Sequence, residues 1–364
     1  MGKKAVVAMS GGVDSSVAAA LLVEQGYDVT GIMLKLWRGD AVNHDSGCCN
    51  LGAAEDARRV ADRLEIPFYV LNMAERFEET VIRDFQDSYR SGMTPNPCVR
   101  CNQWIKFDAL LERADALGAE VLATGHYARV VSTGMGFRLY RGLDHGKDQS
   151  YVLWMLRQEE LARCSFPVGH IHKSETRAIA TQLGLRTAAK PDSQEICFVR
   201  GGDTKAYVES ELPSASVPGD VVDGSGAVIG THRGVGHYTV GQRRGLGVSV
   251  GVPLFVTSID PVTNTVAVGD REALRVAGMR IEEARFVASP PASSTPVLVQ
   301  YRAHGDAYPA AITPIDAGGC EVSFDVPVEA VAPGQSAAFY SAADPDELIG
   351  GGIIAATVPA LAGV

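Results

Sequence analysis

The stretch Ser10-Gly11-Gly12-Val13-Asp14-Ser15-Ser16 follows directly on the apolar run Ala5-Val6-Val7-Ala8-Met9, and its reading decides the fold. A short apolar run ending in glycines predicts a buried strand. Val13, Val17 and Leu21 recur at helical spacing behind the turn, so a helix follows. Two adjacent glycines open φ values closed to other residues and let the backbone approach a ligand closely. The N–H groups of the helix start, with the hydroxyls of Ser10, Ser15 and Ser16, make up an anion nest. A Walker-type loop is excluded, because no lysine follows the glycines. A plain strand-to-helix turn without a ligand is the competing reading.

The chain has 364 residues, more than a usual single domain, so two or three domains are expected. With 46% hydrophobic and 21% charged residues, it has the composition of an ordinary soluble protein. No apolar run approaches the roughly 18–20 residues that span a bilayer. Met1-Gly2-Lys3-Lys4 leads straight into the first strand, leaving no room for a signal peptide. The expected location is the cytoplasm, with no membrane partner. In that compartment the seven cysteines are thiols by default, and any disulfide belongs to catalysis. A net charge of −10 argues against nonspecific nucleic-acid binding, though not against a local basic face.

The first 130 residues alternate strands and helices. Val29–Leu34, Phe68–Leu71 and Val121–Thr124 continue the strand series, with helical patterns between them. This alternation predicts an α/β fold: a parallel sheet with helices on both faces and ligands at the carboxyl ends of its strands. The Ser10 loop and Thr124-Gly125-His126 both fall at such ends. Residues 126–144 read as a hairpin. The Gly201-Gly202-Asp203 and Pro213–Gly219 stretches mark a boundary, beyond which short alternating runs predict two small, mostly-β units. The expected domains are 1–202, 203–275 and 276–364.

Thr94-Pro95-Asn96-Pro97-Cys98-Val99-Arg100-Cys101-Asn102 sets two cysteines three apart after a double-proline turn, at an expected helix start. N–H groups there stabilise a thiolate, and Arg100 and Lys106 act in the same direction. Cys197 stands in a polar context, Pro191-Asp192-Ser193-Gln194-Glu195-Ile196-Cys197-Phe198. Several readings compete: half a zinc site, a redox pair, inert fillers, or three corners of an iron–sulfur cluster on Cys98, Cys101 and Cys197. A zinc site lacks a second CxxC or a His pair at finger-like spacing. The vicinal Cys48-Cys49 reads as structural.

The Ser10–Ser16 loop resembles the pyrophosphate-binding loop of ATP pyrophosphatases, which split ATP between the α and β phosphates. Together with Thr94–Asn102 it resembles the tRNA-uridine 2-sulfurtransferases, or tRNA 2-thiouridylases. So do Thr124-Gly125-His126-Tyr127-Ala128, Lys147-Asp148-Gln149-Ser150-Tyr151, Ser193–Phe198, Tyr238–Gly247 and Pro333-Gly334-Gln335-Ser336. These motifs span essentially the whole chain, in order. The resemblance implies an adenine-nucleotide-hydrolase-like N-terminal domain and an ATP- and Mg²⁺-dependent adenylation of the wobble uridine. Sulfur then arrives as a persulfide on Cys197, and Cys101 is the second thiol, the reaction ending in a Cys101–Cys197 disulfide.

For the nucleotide, the resemblance implies Ala8, Met9, Ser10, Gly11, Gly12, Val13, Asp14, Ser15 and Gly125. It adds the backbone of Leu34, where family members often carry Met. For tRNA it implies Asn96, Pro97, Cys98, His126, Lys147, Asp148, Gln149, Tyr301, Arg302 and Gln335. The position of Cys98 is Asp in some members and Cys in others. His126 also reads as a core histidine and Tyr301 as a strand-packing aromatic. The implied partners are the tRNA anticodon arm and a persulfide donor protein fed by a cysteine desulfurase. Two other classes remain. One is an ATP pyrophosphatase acting on a small molecule, which needs no thiol pair. The other is a noncatalytic RNA-binding module, which needs no intact loop.

Overall fold

The first strand, β1 (Lys4–Ala8), pairs in parallel with β2 (Asp28–Lys35) on one side and β4 (Val121–Thr124) on the other. With β3 (Phe68–Asn72) beyond β2 and β7 (Cys164–Ser165) beyond β4, the order is β3-β2-β1-β4-β7, parallel throughout. Three consecutive residues of β1, Ala5, Val6 and Val7, are buried, so both faces of the sheet are covered. Helix α1 (Val13–Glu24) buries Val17, Ala18, Ala19 and Leu22 and ends where Gly26 takes a φ of +82°. Ala8 registers with both Ile32 and Thr124. Ser10, Leu34 and Gly125 therefore lie together at the carboxyl ends of β1, β2 and β4.

The computed structural model describes residues 2–36, 51–192, 196–248, 251–315 and 318–360. Cys48-Cys49 and Ser193-Gln194-Glu195 lie outside the described residues. Among the described residues, no helix is long and apolar enough to cross a membrane.

Contacts divide the chain into two compact units. One comprises Met1–Val81, Cys98–Gly202 and Asp346–Ile349, the other Ile82–Pro97, Asp203–Pro345 and Gly350–Val364. The first holds the parallel sheet and the expected hairpin, β5 (Ala128–Thr133) with β6 (Gly136–Arg141). The second is not contiguous in sequence. Gln86 donates to the Tyr207 hydroxyl at 3.2 Å, and Phe85 meets the Tyr207 ring edge-on at 5.7 Å, which tie residues 82–97 into it.

The second unit is otherwise β-rich. In its first part, β8 (Gly219–Val222), β9 (Val228–His232), β10 (Phe255–Asp260) and β11 (Thr265–Gly269) order as β10-β11-β8-β9. The β10–β11 turn forms because Asp260 accepts Val262 N–H at 2.8 Å and Asn264 tolerates a φ of +52°. Six further strands are β12 (Arg275–Phe286), β13 (Thr295–Gln300), β14 (Tyr308–Ile315), β15 (Gly319–Glu329), β16 (Ser336–Ser341) and β17 (Glu347–Pro359). They order as β12-β15-β14-β13-β16-β17, and β17 pairs back onto β12, closing a six-stranded barrel. Closure pairs the outer strands β12 and β17 with each other instead of leaving both as open edges. The expected fold class, a parallel α/β sheet followed by β units, is the one observed.

Candidate functional site

The glycine loop is built by its own sequence. Gly11 has a φ of +71°, and a Cβ there would lie 2.2 Å from Ala53 O, so only glycine fits. Gly12 caps α1 without a side chain, leaving the first-turn N–H groups without intrahelical acceptors. Ser10 N–H donates to Ser15 Oγ at 3.1 Å, which folds the loop onto the helix start. Ser16 is fully buried; its hydroxyl donates to Gly12 O at 2.7 Å, and Thr187 donates to it at 3.4 Å. The Ser15 hydroxyl likewise donates to Gly12 O, at 3.3 Å, and meets the Ser10 hydroxyl at 3.2 Å, so both serines brace the turn.

Gly125, one residue beyond β4, packs on this loop. A Cβ on it would sit 2.6 Å from Ser15 N and 2.7 Å from the Asp14 carbonyl carbon. Asp14 in turn accepts the Tyr127 hydroxyl at 2.9 Å and Lys173 Nζ at 2.6 and 2.8 Å. Lys173 opens a helix (Lys173–Gln182) and is itself buried. Lys190 Nζ donates to Gly11 O at 2.9 Å and pairs with Asp56 at 3.0 Å. Two lysines from distant segments therefore reach the loop. Nothing in the spacing of Tyr127, Lys173 or Lys190 marks them in the sequence, since each becomes relevant only by proximity.

Asp192 joins the same cluster, facing Lys147 and Lys173 at 2.8 Å and Arg177 at 3.2 Å. Burial pushes its carboxyl up, but the hydrogen bonds and charges of Lys147 and Lys173 outweigh that and hold it at about 2. Burial drives the Tyr127 phenol well above its ordinary range, so it stays a hydroxyl donor toward Asp14.

Leu34, at the end of β2, lines a cavity of about 460 Å³ with Leu71, Asn72, Met73, Arg76 and Leu110. It lies at the carboxyl ends of β2 and β3, and its lining mixes apolar side chains with Asn72, Arg76, Glu112 and Arg113.

The cysteine segment starts with a one-turn helix, Pro97–Arg100, and then widens. Over Cys101–Ala109 the hydrogen bonds reach five residues back, Leu110 N–H bonding Ile105 O. Such widened turns recur at functional sites, because they re-aim side chains that a regular helix would stagger. Cys98 is exposed, Cys101 buried and Cys197 half-buried. Arg100 lies 4.7 Å over the Trp104 ring, and Asn102 Nδ2 donates to Val152 O at 2.9 Å, fixing both flanks of Cys101. Burial raises the thiols of Cys164, well above its ordinary value, and Cys320, to about 12, which keeps both unreactive. Among the described residues no three His, Cys, Asp or Glu side chains converge to hold a metal ion. Cys98, Cys101 and Cys197 therefore do not meet as three corners of a cluster.

The residues expected at tRNA divide into groups. His126 is buried between Phe107 and Phe166, its Nδ1 2.6 Å from Thr124 Oγ1. Asp148 accepts from Arg141 at 2.7 Å, from Gly142 N–H at 3.0 Å and from the Ser150 hydroxyl at 2.8 Å. Gln149 Oε1 accepts Tyr127 N–H at 3.1 Å. Asp148 and Gln149 thus direct these polar groups into the fold, while Lys147 reaches Asp192. In the second unit, Gln335 Nε2 donates to Thr94 O at 2.8 Å, and Thr94 N–H to Pro333 O at 2.8 Å. That places the turn leading to Asn96 and Pro97 against Gln335. Tyr301 is buried, its hydroxyl donating to Glu329 O at 3.2 Å, and Arg302 donates to Ala330 O at 2.7 Å.

His126 yields a pH prediction. Burial, and secondarily the charge of Lys106, hold its imidazole well below 6.5. The unfolded chain binds a proton there below about pH 6.5 and the folded chain does not, so stability falls as pH drops through that value. The expected slope from this residue approaches about 1.4 kcal/mol per pH unit below that point. Urea unfolding at pH 7.5, 6.5 and 5.5 should show the wild type losing stability faster than His126→Gln. Parallel curves would show that His126 titrates alike in both states.

Sequence comparison extends the match over the chain. Residues 3–201 match a family described as the tRNA methyl transferase HUP domain, residues 205–270 its PRC-barrel domain, and residues 276–354 an aminomethyltransferase beta-barrel domain. A tRNA-specific 2-thiouridylase of Roseiflexus castenholzii is 46% identical, covering 97% of this chain and 99% of that protein. Another, of Rhodospirillum centenum, is 48% identical over 99% of this chain and 94% of its own length. A solved 4-thiouridine synthetase in complex with RNA and ATP is 17% identical with a TM-score of 0.36, covering 58% of this chain and 51% of that one. That structural likeness is too slight to bear on function.

Proposed function

The chain belongs to the tRNA-specific 2-thiouridylase family, and from that premise we propose that it performs ATP-dependent 2-thiolation of the wobble uridine, position 34, of tRNA. The observation that carries this is the 46% identity over 97% of the chain, with the glycine loop intact within it. The loop N–H groups, Ser10, Ser15 and the ammonium of Lys173 would hold the phosphates, and Leu34 and its cavity the base. Mg²⁺ would be carried chiefly by the nucleotide's own phosphates, which bind it with few protein carboxylates.

In this reading the C2 oxygen of uridine attacks the α-phosphorus and pyrophosphate leaves. The outer sulfur of a Cys197 persulfide then attacks C2 and AMP departs. The Cys101 thiolate attacks Cys197 Sγ, breaking the sulfur–sulfur bond, so that sulfur stays on the base and a Cys101–Cys197 disulfide forms. An external dithiol reopens it. The persulfide comes from a donor protein served by a cysteine desulfurase, and the setting is the cytoplasm. Asn96, Pro97 and Cys98 would border the extruded base, which costs little to flip from an anticodon loop. Lys147, Arg302 and Gln335 would touch the anticodon arm directly. His126, Asp148, Gln149 and Tyr301 would shape the backbone that does. Functional segments at 1–202, 203–275 and 276–364 fit this division of labour.

An anaerobic single-turnover assay with unmodified tRNA, ATP, Mg²⁺ and a persulfide source tests the reading. AMP and 2-thiouridine should appear together and only with tRNA. AMP formed without tRNA would favour an enzyme that adenylates a small molecule.

A further inference from the structure

The Gly11–Gly12 peptide is flanked by two residues without a Cβ, so little resists its turning over. In a trans peptide the carbonyl and the following N–H point to opposite sides. The direction of Gly11 O therefore decides which of the two faces the inside of the loop. Phosphate accepts the N–H and is repelled by the oxygen. That choice is made from outside the loop. Lys190, 179 residues further on, donates from Nζ to Gly11 O at 2.9 Å and pairs with Asp56 at 3.0 Å. Its own backbone is fastened, because Arg177 donates to Ala188 O at 2.6 Å and to Lys190 O at 3.1 Å. Gly12 N–H, on the far side of the peptide, has no hydrogen-bond acceptor among the described residues.

We propose that Lys190 is a positioning residue for nucleotide binding: anchored by Asp56, its ammonium holds the Gly11–Gly12 peptide with the Gly12 N–H turned toward the phosphates. The proposal rests on the reading that this loop takes ATP, and it gives Lys190 no contact with the nucleotide. A nest of N–H groups attracts any oxygen that carries negative charge. Left unheld, Gly11 O would itself turn inward and occupy the place of a phosphate oxygen. A hydrogen bond from a charged donor opposes this about ten- to a hundredfold. Without it, part of the nucleotide's affinity is spent on turning the peptide back. The apparent affinity then falls by the fraction of molecules already in the receptive arrangement, whereas the saturated complex is unaffected.

The test follows that peptide by nuclear magnetic resonance in the full chain. Isotope labels on the carbonyl carbon and the nitrogen of glycine restrict a carbonyl–amide correlation to the five Gly–Gly peptides of the sequence. The Gly11–Gly12 signal is the one lost in Gly12→Ala. In the wild type, a saturating non-hydrolysable ATP analogue should move the Gly12 proton downfield and cause no upfield move of the Gly11 carbonyl carbon. In Lys190→Met that carbon should lie upfield with or without analogue. The Kd of the analogue, measured by calorimetry, should rise about five- to tenfold, with single-turnover pyrophosphate release at saturating ATP unchanged. Lys190→Arg, which keeps a charged donor, should restore both carbon and Kd. An upfield move of the wild-type carbon on binding would show the ammonium leaving for the phosphates and overturn the proposal. So would an unmoved Gly12 proton, wild-type affinity in Lys190→Met, or a slower saturated reaction in that variant. An analogue that fails to bind the wild type removes the nucleotide reading and the proposal together. The wild-type spectra decide without Lys190→Met, so a poorly folding variant does not shelter the proposal.

Discussion

Replacing Cys197 by serine is expected to abolish 2-thiouridine formation while pyrophosphate is still released and the adenylate stays on the tRNA. A hydroxyl cannot carry the persulfide sulfur, so the loss should be roughly 10³-fold or more, the scale seen when a covalent nucleophile is removed. Cys101→Ser should cause a comparable loss by a different route: sulfur reaches the base, but the linkage to Cys197 is not cleaved. The two variants separate on a second readout. After one turnover the Cys101→Ser protein should retain tRNA attached through Cys197, visible on a non-reducing gel, whereas Cys197→Ser should retain none. A serine variant that thiolates tRNA at the wild-type rate would remove that cysteine from the mechanism. The structure adds a reason to expect separability. Cys101 is buried in a widened helical turn fixed by Arg100 and Asn102, so a change of one atom leaves that scaffold in place.

The second large effect is expected from a methyl group. Gly125→Ala puts a Cβ 2.6 Å from Ser15 N and 2.7 Å from the Asp14 carbonyl carbon, both backbone atoms that cannot swing aside as a side-chain tip does. The helix start must move, and with it the N–H groups that would face phosphate. A displacement near 1 Å at a reacting centre costs about 100-fold, so AMP formation should fall by about that factor. The barrel lies outside the affected contacts, and its unfolding should change little. Wild-type AMP formation by Gly125→Ala would mean that this close approach does not position the phosphates.

The strand-turn-helix at Ser10, the parallel sheet, the hairpin at residues 128–141 and the β-rich remainder were all legible, because each is written in local periodicity and turn chemistry. The cysteine motifs were legible as motifs, though the widening at Cys101–Ala109 had no visible signature. The assignment of residues 82–97 to the second unit was not legible either, since it depends on Gln86 and Phe85 meeting Tyr207 far along the chain. Asp148 and Gln149 were expected as tRNA contacts, and the fold adds that Asp148 accepts from Arg141 and Gln149 from Tyr127 N–H. Their sequence neighbours do not reveal this, because the partners, Arg141 and Tyr127, are brought to them by the hairpin.

Sequence alone determined that a glycine loop ends the first strand and that two cysteine segments accompany it, since backbone conformation and spacing are local properties. Only the tertiary structure decided which side chains complete the loop. Asp14 finds Lys173 across 159 residues, and Lys173 finds Asp192 in the segment that leads to Cys197. Charge pairing depends on distance in space, and no pattern along the chain records that distance.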